Sequence, residues 1–282
     1  MNASASIRRT RKCNLPRILG RGTISLAVLL SGLATVGRAA EPAAASAVSG
    51  ALVICGGGTL PAEIYERFIE LAGGQEKARL VVITTASDRA GRPEQQEFAD
   101  SWKARKISQV TLLHASSREE ANMPKFVEPL RGATAVWFEG GQQGRVADAY
   151  LDTAVERELY ALLKRGGVIG GTSAGAALQS RVMIRDGYPV AKVGRGFDFL
   201  PGAVVDQHFL KRNRLKRLLG VLKEHPDLVG YGIDEGTAMI VRENHFRILG
   251  ASYVLECRFD AQAREPRIEV LAPGEEYALS VH

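Results

Sequence analysis

Short apolar runs without internal alternation recur along this 282-residue chain, at 51–55, 80–84, 110–113, 133–138, 168–170 and 228–233. Between them, 61–72, 93–104, 145–164 and 211–223 repeat apolar residues with the helical period. A strand that is apolar at every position must be covered on both faces, so runs of this kind belong to sheets sandwiched between helices. The strand-helix order calls for a mainly parallel sheet, because a helix is the usual crossover between parallel neighbours. The expected fold class is therefore α/β, doubly wound, with helices on both faces. From about Gly236 the pattern changes to short extended runs with polar turns, which read as antiparallel C-terminal strands closing one domain over 51–282. Ligands of open parallel sheets bind beyond the carboxyl ends of the strands. Several runs end there in glycine or small polar residues: Gly56-Gly57-Gly58, Thr84-Thr85-Ala86-Ser87, Gly140-Gly141 and Gly170-Gly171.

The net charge of +6 is a property of the N-terminus. Seven of the 37 basic residues, and no acid, lie in the first forty positions; the remaining 30 basic residues face 31 acidic ones. A near-neutral body lacks the basic footprint that phosphate contacts require, so nucleic acid is excluded as a partner. The basic stretch 8–21, the apolar stretch 23–36 and the small residues around Arg38 form a secretory signal over 1–39, followed by an Ala-rich linker over 40–50. The apolar stretch is shorter than the roughly 20 residues that cross a bilayer, so no stable membrane anchor is expected and the protein is placed outside the cytoplasm, secreted or periplasmic. Arg8-Arg9 leaves the twin-arginine route open. Cleavage would remove Cys13; Cys55 and Cys257 both sit in apolar runs and read as buried free thiols. No Cys/His cluster has metal-ligand spacing, so no metal is expected.

The segment Gly170-Gly171-Thr172-Ser173-Ala174-Gly175-Ala176-Ala177 carries a G-x-S-x-G pattern between a predicted strand and a small-residue helix. A sharp strand-to-helix turn projects a serine hydroxyl, and flanking glycines give that turn room. Ser173 is thus the candidate nucleophile, and the Ala174 amide at the helix start is an oxyanion donor. Among five histidines, His208 follows an apolar run that ends in Asp206-Gln207 and is the candidate base, with His114 at another strand end a further site member. Asp234 or Glu235, after the 228–233 run, would orient it. Arg214 and Arg217, three apart, read as a carboxylate clamp.

Four segments together resemble the cyanophycinase family of serine peptidases, relatives of the aspartyl dipeptidases with a fold like the class I glutamine amidotransferases. They are FEGGQQGR at 138–145, GGTSAGAA at 170–177, DQHFLKRNRLKRL at 206–218 and GIDEGTA at 232–238. The resemblance implies Ser173 as nucleophile, His208 as base and Glu235 as the residue that orients it. It implies Gly141 as a second oxyanion donor beside Ala174. It implies substrate binding by Gln143, Asp206, Gln207, Arg212, Arg214 and Arg217, a homodimer, and no cofactor. The implied substrate is cyanophycin, a poly-aspartate with arginine on each β-carboxylate, cut to β-Asp-Arg dipeptides or, more broadly, a related β-aspartyl peptide. The family's usual GGDQ reads GGQQ here, with Gln142 in place of a carboxylate. Two alternatives stand beside this expectation: an aspartyl dipeptidase, and a non-catalytic secreted binding protein of the same fold. A nucleophilic Cys55 is a weaker option, because no basic partner adjoins it in the sequence.

Overall fold

The computed structural model describes residues 48–279. The expected signal sequence with its expected cleavage site, Cys13 and most of the expected linker lie outside the described residues. Among the described residues no helix is long and apolar enough to cross a membrane.

Five parallel strands form the centre of the main sheet: β1 (Val48–Cys55), β2 (Arg79–Ile83), β3 (Gln109–Leu113), β4 (Ala135–Phe138) and β5 (Val168–Thr172), in the order β1-β5-β4-β2-β3. Alternate residues of each strand feed two different cores, as the two-residue strand period requires. Leu52, Ile54, Val81, Ile83, Val136 and Phe138 face one, while Val53, Cys55, Leu80, Val82, Ala135 and Trp137 face the other. That double burial is why these runs show no polar alternation. The second core is covered by α1 (Ala62–Leu71) and α2 (Gln96–Lys103) through Ile64, Phe68 and Trp102. The first is covered by α3 (Arg118–Ala121), α4 (Pro124–Arg131), α5 (Gln143–Tyr150), α6 (Ala154–Lys164) and α7 (Ala174–Ala177).

A hairpin of β6 (Val182–Asp186) and β7 (Lys192–Arg195) leads into a second sheet. Its strands are β8 (Ala203–Gln207), β9 (Val229–Ile233), β12 (Val254–Asp260) and β13 (Glu265–Leu271), with β8 and β9 parallel and joined by α8 (Leu215–Glu224). The remaining strands, β10 (Thr237–Glu243), β11 (His245–Gly250) and β14 (Glu276–Ala278), extend the main sheet antiparallel beyond β1.

The α/β class with a mainly parallel central sheet is as expected, and four details differ. The run 228–233 belongs to the second sheet, because strand periodicity reports burial and not pairing partner. The helical stretch 145–164 is two helices, broken where Leu151 turns extended and Asp152 takes φ 64°, with the Thr153 hydroxyl donating to the Tyr150 carbonyl at 2.6 Å. The basic helix starts at Leu215, not Lys211. Strand β1 reaches back to Val48, into the expected linker. Cys55 and Cys257 are both free and buried, in different cores.

Candidate active site

Ser173 sits between β5 and α7 with φ 54° and ψ −106°, a conformation that non-glycine residues rarely adopt. The surrounding glycines make this turn possible. A Cβ on Gly171 would lie 2.6 Å from the Gly175 backbone, and one on Gly175 would lie 2.5 Å from the Phe138 carbonyl oxygen. The Ser173 N–H donates to the Cys55 carbonyl at 3.0 Å, which ties the turn to β1. The Ala174 amide opens α7 and is an N–H that the helix cannot satisfy internally. Gly140 and Gly141 run alongside: a Cβ on Gly140 would be 3.6 Å from Ser173 Cβ, whereas Gly141, at φ 140°, presses against the Ala86 carbonyl so closely that any Cβ would sit 2.0 Å from its oxygen.

His208 follows the last residue of β8. It takes φ 49°, and its N–H donates to the Gly56 carbonyl at 2.7 Å. Glu235 follows β9 in the same sheet, and the Gly236 N–H donates to the Gly57 carbonyl at 2.9 Å. The two sheets therefore meet at the triple glycine that ends β1. Across that junction Ser173 Oγ lies 2.8 Å from His208 Nε2, and His208 Nδ1 lies 2.6 Å from Glu235 Oε1. Asp234 is turned elsewhere: one oxygen accepts the Lys211 N–H at 2.9 Å and the other accepts the Ser252 hydroxyl at 3.0 Å.

Burial pushes the His208 imidazole below the ordinary histidine range; the Glu235 hydrogen bond opposes this, while the Arg212 and Arg214 charges reinforce it. A neutral imidazole with Nδ1–H directed at a carboxylate leaves Nε2 as an acceptor for the serine proton.

The remaining sequence candidates divide into two groups. Asp206 is fully buried and both its oxygens are taken by the Arg217 guanidinium, one at 3.0 Å from Nε and the other in a shorter contact with a terminal nitrogen. Arg217 also donates to the Gly187 carbonyl at 2.9 Å and is itself buried. Asp206 and Arg217, both expected to contact substrate, are thus paired with each other inside the protein. Arg214 is anchored to the Gln207 carbonyl at 2.7 Å and approaches Asp206 at 3.5 Å. Gln143 is buried and donates to the Ile184 carbonyl at 2.8 Å.

Two candidates keep unused capacity. The Arg212 side chain is exposed and has no ion-pair partner among the described residues. Gln207 Oε1 is buried with no hydrogen-bond partner among them. Gln142 is exposed, and its N–H donates to the Ala86 carbonyl at 2.8 Å, so the residue that departs from GGDQ still anchors the loop through its backbone.

Sequence reasoning missed the task of the triple glycine. A Cβ on Gly57 would lie 2.3 Å from His208 Cε1, and one on Gly58 would lie 2.9 Å from a Glu235 carboxylate oxygen. Three glycines closing a buried strand were the available signal. It also missed Glu139, at the end of β4, whose carboxyl burial lifts to about 7 against the opposing Gly140 N–H and Arg105 charge. Cys55, fully buried with its thiol pushed far up by burial, is no nucleophile. Among the described residues no group of three or more His, Cys, Asp or Glu side chains is arranged to hold a metal.

Residues 52–249 match the family model for peptidase family S51. The chain belongs to peptidase family S51. This S51 chain is 32% identical over 234 residues to a cyanophycinase of Synechococcus elongatus, covering 78% of this chain and 71% of that one. It is 28% identical over 244 residues to a cyanophycinase of Geminocystis herdmanii, covering 78% and 89% respectively. A crystal structure of a peptidase from an acI-B1 Actinobacterium shares the fold, with a TM-score of 0.63, 24% identity, and coverage of 81% of this chain and 96% of that one. The S51 chain is a serine-type peptidase, a hydrolase.

Proposed function

We propose that this S51 peptidase hydrolyses cyanophycin to β-Asp-Arg dipeptides through an acyl-enzyme on Ser173. The observation that carries the reading is the serine-imidazole-carboxylate series at 2.8 and 2.6 Å across the two sheets. Ser173 Oγ attacks a backbone carbonyl as His208 Nε2 takes its proton, and the Ala174 and Gly141 amides stabilise the oxyanion. His208 then protonates the departing amine. Water, deprotonated by the same imidazole, attacks the acyl-enzyme and frees Ser173. Glu235 holds the ring with Nε2 towards the serine and stabilises its charged form.

The substrate class rests on the named relatives and on the charge of the rim. Each cyanophycin unit offers a free carboxylate and a guanidinium. The unpaired Arg212 and the half-buried Arg214 suit the first. The unsatisfied Gln207 Oε1 suits the second, in place of the internally paired Asp206. Export is part of the proposal and rests on the sequence of 1–39, since insoluble polymer outside the cell must be met there.

Purified protein incubated with insoluble cyanophycin and, separately, with Asp-X dipeptides tests this directly. Release of β-Asp-Arg from the polymer alone is expected. Hydrolysis of Asp-X dipeptides alone would move the assignment to an aspartyl dipeptidase. Ser173→Ala should abolish release while still sedimenting with the polymer, and undiminished release would remove Ser173 from the mechanism.

A further inference from the structure

On the far side of the Gly140-Gly141 strip from Ser173, a pocket of about 270 Å³ opens at the carboxyl ends of β2 and β3. Thr85, Ser87, Asp88, Arg92, His114 and Arg145 line it. Its floor is built from buried polar groups in series. The Ala115 N–H donates to the Tyr150 hydroxyl oxygen at 2.9 Å, that oxygen lies 2.9 Å from Thr85 Oγ1, and Thr85 Oγ1 lies 3.1 Å from His114 Nδ1. Tyr150 is fully buried and Thr85 nearly so.

Counting protons fixes the direction of the series. The Tyr150 oxygen already accepts the Ala115 N–H, so the one acceptor in reach of its own proton is Thr85 Oγ1. The one arrangement that pairs both hydroxyl protons within the series sends the Thr85 proton to His114 Nδ1; an Nδ1–H donor there would leave either the Thr85 or the Tyr150 proton without an acceptor in the series, at a cost of about 1–3 kcal/mol if buried. His114 therefore carries its ring proton on Nε2. That atom lies beside Gly91, where a Cβ would come within 3.2 Å of it, and it has no hydrogen-bond partner among the described residues. Burial lowers the His114 pKa, which keeps the ring neutral and the tautomer defined.

The charges on the lining side chains do not cancel, although the Glu120 carboxylate, outside the lining, also acts on the His114 ring. Asp88 is matched by Arg145 at 2.7 Å, while the exposed Arg92 has no ion-pair partner among the described residues. One net positive charge and a fixed N–H donor face the same space, and the unmatched groups are donors. We propose that this pocket is a carboxylate subsite, with Arg92 and His114 Nε2–H as its ligands, for a substrate residue on the side of the scissile bond away from Arg212. The role in substrate binding rests on the peptidase site proposed above. A polymer bearing a carboxylate on every unit could then be gripped on both sides of Ser173, by Arg212 and by Arg92.

Binding is read independently of hydrolysis by titrating ¹⁵N-histidine-labelled protein with succinate and following the His114 ring signals, assigned with His114→Gln. A saturable shift is expected in the wild type, weakened about fivefold or more in Arg92→Ala, an exposed position whose side chain makes no hydrogen bond or ion pair to the described residues, and little changed in Arg212→Ala. Methylguanidinium should produce no such shift. On cyanophycin, Arg92→Ala should raise KM more than it lowers kcat. A flat His114 response to succinate, an Arg92→Ala titration matching the wild type, or a response to methylguanidinium instead would overturn the inference, whatever cyanophycin does. A saturable succinate response in a protein that leaves cyanophycin intact would overturn the polymer reading alone.

Discussion

Gly57→Ala should disable Ser173 without unfolding the protein. The new Cβ would lie 2.3 Å from His208 Cε1 and 2.6 Å from Nε2. Ordinary contact needs about 3.4 Å or more, so the ring must withdraw by about 1 Å. It cannot easily carry the backbone with it, because the His208 N–H is fixed on the neighbouring Gly56 carbonyl at 2.7 Å. The serine-imidazole separation of 2.8 Å then opens to about 3.8 Å, beyond hydrogen-bond range. Loss of a positioned general base lowers the rate about 10²–10⁴-fold. Alanine at φ 101° adds a backbone cost of about 1–3 kcal/mol, within the stability of a domain this size.

The assay is the rate of Ser173 labelling by a fluorophosphonate, which requires no assumption about the natural substrate, beside thermal unfolding of the same samples. Gly74→Ala supplies the control. It sits at φ 87° with nothing within 4 Å of its Cβ, so it carries comparable backbone strain and no imidazole contact, and should label at the wild-type rate. If Gly57→Ala labelled within about threefold of wild type, the base assignment would fail with it.

Removing the Arg212 charge with Arg212→Gln takes away one of the influences holding His208 low. The imidazole then protonates at higher pH, and the acid limb of kcat/KM shifts upward; an unmoved limb would contradict the electrostatic account. Glu139 keeps its proton up to about pH 7 when folded, against 4.5 for an unperturbed carboxyl. The unfolded chain loses that proton first, so stability declines as pH rises from 4.5 to 7, by at most about 3 kcal/mol. Glu139→Gln should flatten this slope in denaturant titrations, and a parallel slope would show that the carboxyl ionises freely. Arg217→Met strands the buried Asp206 and should destabilise by about 3–5 kcal/mol in urea unfolding, whereas the double variant Asp206→Leu/Arg217→Met recovers most of that loss. A mild single variant would show that the buried pair contributes little to the fold.

What the chain declared in advance was whatever depends on local pattern. Leu52 to Ile54 and Val136 to Phe138 announce double-sided burial, and Gly171 to Gly175 announces a tight turn with a projected serine. Pairing choices are non-local, so β9 could be recognised as a strand but not assigned to the second sheet with β8. Residue type equally cannot tell a ligand-facing carboxylate from one already paired inside: Asp206 and Arg217 look like recognition groups until β8 and α8 are packed and the two close on each other. The contribution of Gly57 and Gly58 was hidden for the same reason, since a missing side chain acquires meaning only from what occupies its place.

The proposed nucleophile, Ser173, rides on one sheet, whereas the proposed base His208 and the Glu235 carboxylate behind it ride on the other. Hydrolytic competence is consequently a gauge of alignment between two separately hydrogen-bonded bodies, joined at this point by main-chain bonds to Gly56 and Gly57. A slip of a single ångström along that joint would silence the enzyme while leaving every strand paired, so inactivation by heat or denaturant should run ahead of any loss of secondary structure.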